Sequence, residues 1–328
     1  MSIRIGTRAS KLALTQTQQT ADQLAAVGGF PVELVHIKTE GDVRTGSLSQ
    51  MGGTGVFVAA LRDALLAETC DVAVHSLKDL PTGAAVGLSI AATPKRVDVR
   101  DVLCARDGLT LAELPGGAKV GTGSPRRAAQ LRAARPDIEV LDIRGNVDTR
   151  LGRVPGLPGN VTDEVVPGKS CDLDAVVLAA AGLERMDRLD TVSEFFETDV
   201  MLPAPGQGAL AIECRTEDAP QLEGSQGVLA QALAALNDAD TRLAVTAERA
   251  VLARLEAGCA APVGAYAFRK GSMLHLEAVV CAVDGTKTVR EKKATDGLTE
   301  VGATLLGIEV AELLLAAGAA EIADLAAS

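Results

Sequence analysis

The sequence predicts an α/β fold made of two successive strand-and-helix units, followed by a small α+β domain. Three observations carry this. Short apolar strands alternate with helices up to about residue 186, the mark of a parallel or mixed sheet covered by helices. The pattern restarts around residues 92–103, which divides it into two units. Over the last hundred residues or so, strand-like segments run consecutively and a single helix closes the chain.

Residues 3–7 (IRIGT) read as the first strand, and Ser10 caps a helix reaching to about residue 26. VELVHIK (32–38) is the next strand; a Gly-rich loop then leads to a helix over 56–67. DVAVHS (71–76) is a short apolar strand that ends at SLKD. In the second unit, AKVGTGS (118–124) is a strand entering a loop, and Pro125 suits the first turn of a helix over 125–135. IEVLDIR (138–144) is a strand, RGNVDTRL opens a helix, and LDAVVLAAAGLERM (173–186) is a strand followed by a helix. Residues 152–171 are rich in Gly and Pro and read as a mobile insertion. MLPAPGQGALAIECR (201–215) becomes strand-like after its Pro/Gly stretch. A helix carrying Glu248 and Arg249 is expected to end at Gly258. VGAYAF, MLHLEAVVCAV and TVREKKA then form a small antiparallel sheet.

With 328 residues, nearly half of them hydrophobic, the chain can bury full cores without metal or disulfide support. Five Phe, one Tyr and no Trp leave no base-stacking platform, and a net charge of -11 opposes a phosphate-backbone footprint. Nucleic acid is thereby excluded. The six cysteines form no C-x-x-C, and His36, His75 and His275 complete no metal-ligand spacing. The start MSIRIGTRAS lacks the apolar run of a signal peptide, and no stretch is long enough to span a membrane. The expectation is a reduced, cytoplasmic protein whose cysteines are mostly buried.

Against the acidic total, Arg and Lys recur in GTRASKLAL (6–14), HSLKDLPT (75–82), GTGSPRRAAQL (121–131) and RGNVDTRL (144–151). Hydroxyls, free backbone N–H groups and guanidinium forks suit a small polyanion. These segments fall at strand C-terminal ends, where open α/β sheets bind ligands. Thr122, Ser124, Arg126 and Arg127 share one helix entrance. Two cations there oppose the positive end of the helix dipole, so an anionic partner is expected; a cap with solvated arginines is the bland alternative. Arg144 and Arg150 flank another helix start. Asp79, beside Lys78, can stabilise a cation or move a proton, or can form a surface ion pair in a turn. Cys259 lies between Gly258 and two alanines, with room beside its sulfur for a bulky group; on these neighbours alone a buried structural thiol is the favoured reading.

Taken in order, TRASKLAL, GDV, GTGVF, DVAVHSLKDLP, RDVL, VGTGSPRR, DIRGNVDTRL, LAAAGLERM, LPAPGQGALAIECR and AERAVLARLEAGCAAPVGAY resemble the porphobilinogen deaminase family over nearly the whole chain. The resemblance implies two periplasmic-binding-protein-like lobes and a third domain. Lobe 1 would comprise 1–98 and 200–217, lobe 2 would be 99–199, and the cofactor-attachment domain 218–328. It implies a transferase that condenses four porphobilinogen molecules into hydroxymethylbilane, in haem and tetrapyrrole synthesis. A dipyrromethane cofactor would be tethered to Cys259 and Asp79 would be catalytic. Ser76, Lys78, Thr122, Ser124, Arg126, Arg127, Arg144 and Gly145 would hold the cofactor. Arg8, Ser10, Gln16, Arg150 and Gln207 would bind substrate. A monomer is expected, with no metal, membrane or nucleic-acid partner. The chain departs from many family members by carrying Gln50 and Thr54 where they have loop lysines; Phe57 matches a family aromatic that can stack near the growing chain, or belongs to a core helix. A two-lobed anion receptor without catalysis is the competing class, opposed by the third domain with Cys259. A nucleotide enzyme is opposed by the lack of a P-loop or a G-x-G-x-x-G after a strand.

Overall fold

The computed structural model describes residues 2–37, 55–158, 171–221, 227–258 and 261–325. Gln50, Thr54, Cys259 and most of the 152–171 segment lie outside the described residues, as does the side chain of Phe57. In chain order the first elements are β1 (Ile3–Thr7), α1 (Lys11–Gly28), β2 (Val32–His36), α2 (Gly55–Leu66), β3 (Val72–Ser76) and β4 (Leu88–Ala92). Next come β5 (Asp101–Ala105), β6 (Lys119–Thr122), α3 (Pro125–Ala134), β7 (Glu139–Asp142), α4 (Val147–Leu151), β8 (Ala175–Ala179), α5 (Ala180–Arg185) and β9 (Glu194–Phe195). The chain continues through β10 (Leu210–Arg215), α6 (Val228–Leu236), α7 (Ala239–Arg254), β11 (Val263–Lys270), β12 (Met273–Cys281), β13 (Thr288–Thr295), α8 (Glu300–Ala316) and α9 (Ala319–Ile322).

The chain divides into two compact units, residues 1–97 with 209–243 and residues 98–208 with 244–328. The first holds a five-stranded sheet of order β2-β1-β3-β10-β4. β1 runs parallel to β2 and β3, whereas β10 is antiparallel to both β3 and β4. Both faces are covered. Ile5, Val72, Val74 and Ile212 pack with Leu24 of α1 and Leu233 of α6; Ala73 and Leu88 pack with Leu61 and Leu65 of α2.

The second unit holds a sheet built on the same plan, of order β7-β6-β8-β5-β9. Three strands are parallel, and β5 runs antiparallel to β8 and β9. All five residues of β5 are buried, including the charged Asp101. The antiparallel sheet β11-β12-β13 also belongs to this unit. The fold is therefore mixed α/β with a small three-stranded sheet, as the alternation predicts.

Local chemistry explains most boundaries. Ser10 caps α1 by accepting from the Ala13 N–H, and Gly29 ends it in the left-handed region at φ 65°. Ser124 caps α3, Pro125 fills its first turn, and the helix stops before Pro136. One boundary differs from expectation: α7 ends at Arg254, not Gly258. Glu256 has φ 51°, outside helical geometry, and the Ala257 N–H turns back to the Leu252 carbonyl. The strands β4 and β9 carry too few residues of clear alternation to be read from the sequence.

Candidate functional site

The expected site residues fall into two groups, one in each unit. In the first unit they gather at the C-terminal ends of β1 and β3. Arg8 and Ser10 follow β1, and Gln16 projects from the first turns of α1. Ser76 ends β3 and leads into a single 3-10 turn, Leu77–Asp79. Buried Leu77 pins that turn, and its N–H donates to the Ala209 carbonyl at 3.0 Å. The turn thus sets where Lys78 and Asp79 stand. One cavity is lined by Arg8, Ser10, Gln16, His75, Ser76 and Asp79 among others. The Ser76 hydroxyl donates to Gln16 Oε1 at 3.2 Å, which ties α1 to the end of β3. The cavity therefore combines a cation, hydroxyls and a carboxylate. Such a set can hold an anionic substituent while placing negative charge beside a positive centre.

Behind this cavity lies a buried ion cluster that the sequence reading missed. Glu213 of β10 accepts two-pronged hydrogen bonds from Arg62 of α2, Nη2 at 2.9 Å and Nε at 3.1 Å, and lies 3.2 Å from His75 Nε2. Burial pushes the Glu213 carboxyl up, but His75 and Arg62 together hold it below its ordinary value.

In the second unit, Thr122 ends β6 and its Oγ1 accepts from the Ser124 N–H at 3.3 Å. Ser124 in turn accepts from the Arg127 N–H at 3.4 Å. This presents Arg126 and Arg127 in the first turn of α3. Arg144 and Gly145 follow β7, and Gly145 adopts φ 113°, which a side chain would strain. Asn146 caps α4 through the Thr149 N–H. Arg150 of α4 donates from Nε to the Gly145 carbonyl at 2.8 Å. Burial, followed by repulsion from Arg127 and Arg144, pulls the Arg150 guanidinium down to about 10. At neutral pH it remains a cation among cations, an arrangement that favours an added anion.

The anionic partner expected for Arg126 and Arg127 exists inside the protein. Asp101, fully buried at the start of β5, receives both guanidinium groups. Burial raises its carboxyl, but the two arginines hold it far below the usual carboxylate range. Contrary to the expectation from the sequence, these cations do not depend on an external anion alone: Asp101 meets part of that need. Arg126 Nε remains buried without a hydrogen-bond partner. Gln207 is also buried and donates to Asp101 and to the Val99 carbonyl. The clue was visible in RDVL, but nothing local says that its Asp reaches an arginine 25 residues away.

Cys259 lies outside the described residues. The thiols of Cys70, Cys104, Cys214 and Cys281 are buried. Burial pushes Cys70 and Cys104 up to about 11 and Cys214 to about 12, so these groups stay protonated and inert at neutral pH. Among the described residues, no helix is long and apolar enough to cross a membrane.

Comparison with known proteins places two family models on the chain. "Porphobilinogen deaminase, dipyromethane cofactor binding domain" matches residues 3–223, and "Porphobilinogen deaminase, C-terminal domain" matches 242–316. A porphobilinogen deaminase of Cutibacterium acnes is 55% identical, covering 100% of this chain and 98% of that protein. Those of Micrococcus luteus and Leifsonia xyli subsp. xyli are 51% and 53% identical, covering 97% and 99% of this chain and 93% and 95% of theirs. Among solved structures, an ABC-transporter periplasmic substrate-binding protein from Coxiella burnetii aligns at 15% identity and a TM-score of 0.41, over 71% of this chain and 91% of that one.

Proposed function

Because the chain belongs to the porphobilinogen deaminase family, we propose that it condenses four porphobilinogen molecules, with loss of ammonia, into the linear tetrapyrrole hydroxymethylbilane. The observation that carries the reading is a local cluster of guanidinium groups in the second unit. Burial first, and then repulsion from Arg127 and Arg144, destabilises the Arg150 cation, and Arg126 Nε is a buried donor to spare. A group bearing several carboxylates fits that donor set.

Thr122, Ser124, Arg126, Arg127, Arg144 and Gly145, with Ser76 and Lys78, would hold the dipyrromethane, and Cys259 would anchor it. When bound, it supplies the nucleophilic α-carbon that accepts each new pyrrole. Arg8, Ser10 and Gln16, together with Arg150, bind the acetate and propionate of porphobilinogen and fix the ring's orientation. Ammonia leaves from the aminomethyl group, and the Asp79 carboxylate stabilises the positive charge that develops on the pyrrole. Asp79 also holds the proton that leaves the attacking carbon. The negative charge must be fixed in advance, and the Leu77 anchor of the 3-10 turn provides this. The division into lobe 1, lobe 2 and a C-terminal domain, the transferase class, a cytoplasmic location and a monomeric state belong to the same proposal.

Intact mass of the purified chain tests it. Wild type should carry the added mass of two pyrrole units, Cys259→Ala should not, and only the loaded form should consume porphobilinogen. An unmodified wild-type chain with no turnover would sink the proposal.

A further inference from the structure

We infer that Asp101 and Gln207 are positioning residues that lock the guanidinium forks of Arg126 and Arg127 in place before any ligand arrives. The inference deepens the function proposed above and rests on it for the identity of the ligand.

Asp101 gathers three donors. Its Oδ1 accepts from Arg127 Nε at 2.9 Å and Gln207 Nε2 at 2.8 Å, with Arg127 Nη2 in ion-pair contact at 2.7 Å. Its Oδ2 accepts from Arg126 Nη1 at 2.7 Å. Each arginine has a second anchor on the main chain: Arg126 on the Leu202 carbonyl at 2.6 Å, Arg127 on the Val177 carbonyl at 3.2 Å. A fork held at two points has little rotamer freedom left, so its orientation does not depend on a ligand. The carboxylate also cancels one of the two positive charges. The pair then presents a single net charge, which restrains repulsion between the two neighbours.

Gln207 is held just as firmly. It sits between Gly206 and Gly208, whose φ values of 77° and 83° form a turn that side chains would strain. Glu248, itself fully buried, accepts from the Gly206 N–H at 2.7 Å and the Ala267 N–H at 2.8 Å. The turn is thus clamped to α7 and β11. The Gln207 amide nitrogen spends both N–H groups inside the protein, on Asp101 and Val99. The structure therefore gives that nitrogen a task other than contacting substrate.

The test uses the full-length chain, arginine-labelled for NMR and assayed with porphobilinogen. In wild type the Arg127 Nε–Hε signal should be protected from solvent exchange. In Asp101→Asn the protection should be lost. Turnover per loaded chain should fall roughly a hundredfold, the scale of a small misplacement at a reacting centre, with KM changed less than about threefold. Gln207→Leu removes one donor without stranding a charge, and should lower turnover about tenfold with the same pattern. Should Asp101→Asn fail to fold, Gln207→Leu decides by the same criteria. Unchanged turnover, turnover lost with Arg127 protection intact, or a rise in KM alone would each overturn the inference. Exchange protection is read without turnover, so a chain lacking the activity would defeat the functional reading while the arginine lock is still judged by NMR.

Discussion

Each unit buries a sheet carboxylate against arginine, Glu213 in the first and Asp101 in the second, but the two do so to different ends. In the first, Glu213 is paired with Arg62 and lies 3.2 Å from His75 Nε2, and neither is an expected ligand residue. In the second, Asp101 is neutralised by the very arginines that the family resemblance assigns to ligand carboxylates. Unit 1 thus keeps the Arg62–Glu213 pair out of the lining of its cavity, whereas in the proposed function unit 2 uses one pair for both purposes. Where the tasks are separate, a mutation can damage one and spare the other. Where they are shared, stability and binding must fall together.

The largest expected effect isolates chemistry in unit 1. Asp79→Asn should lower turnover by at least about a hundredfold, since it removes charge that acts on a developing cation. The adduct on Cys259 should survive, checked by intact mass, and Asp79→Glu should keep measurable activity. Single-turnover rates in the Asn variant equal to wild type would take Asp79 out of the mechanism.

The sharing in unit 2 is tested next. Arg127→Leu strands part of the charge on buried Asp101 and should cost about 3–5 kcal/mol of stability as well as impairing cofactor loading. Arg144 is exposed and paired only loosely with Asp142, at 3.2 Å. Arg144→Leu should impair loading with a stability change within about 0.5 kcal/mol. Urea unfolding of both variants decides this, and equal destabilisation would break the contrast.

Acid offers a third comparison. Asp101 and Glu213 both have folded-state values below their ordinary ones. Their stabilisation is fully present above the unfolded carboxylate range, about pH 4–5, and is lost as pH falls through the folded values. Asp101 is the more strongly depressed. Asp101→Asn should therefore flatten the loss of stability below about pH 4 more than Glu213→Gln does. Urea midpoints measured from pH 6 downward give the slopes, and a steeper dependence on Glu213 would reverse the ranking.

The smallest effects should be matched. Ser10 and Ser124 each cap the helix beside their group of site residues, and Ser10→Ala or Ser124→Ala should each cost about 1 kcal/mol in thermal or urea unfolding. A markedly larger loss in either would show that the hydroxyl does more than cap.

Much of this was legible in the sequence because it is local. Strand alternation, caps at Ser10 and Ser124, and the Pro125 start each depend on a few adjacent residues. So did the ordered motifs that mark the family. What escaped was long-range. No local rule brings Asp101 to Arg127, or Glu213 to Arg62, because each pair joins a strand to a helix distant in the chain. No anion stands near Arg126 and Arg127 in the sequence, since theirs comes from Asp101 on a strand that runs antiparallel to its neighbours. The length of α7 was overestimated because LEAG carries no Pro to stop a helix, whereas Glu256 adopts φ 51°.

One strand has a consequence for how the chain is made. β10 fills the slot between β3 and β4, yet it is encoded after the whole of β5 to β9. On the ribosome, β4 leaves the exit tunnel long before the strand it pairs with exists. At roughly 5–20 residues per second the wait is about 6–24 s, during which one flank of β3 and both flanks of β4 are open to any passing strand. The first unit to begin is thus unable to finish on its own, and its half-built sheet is where nascent chains would be captured by a chaperone or by one another.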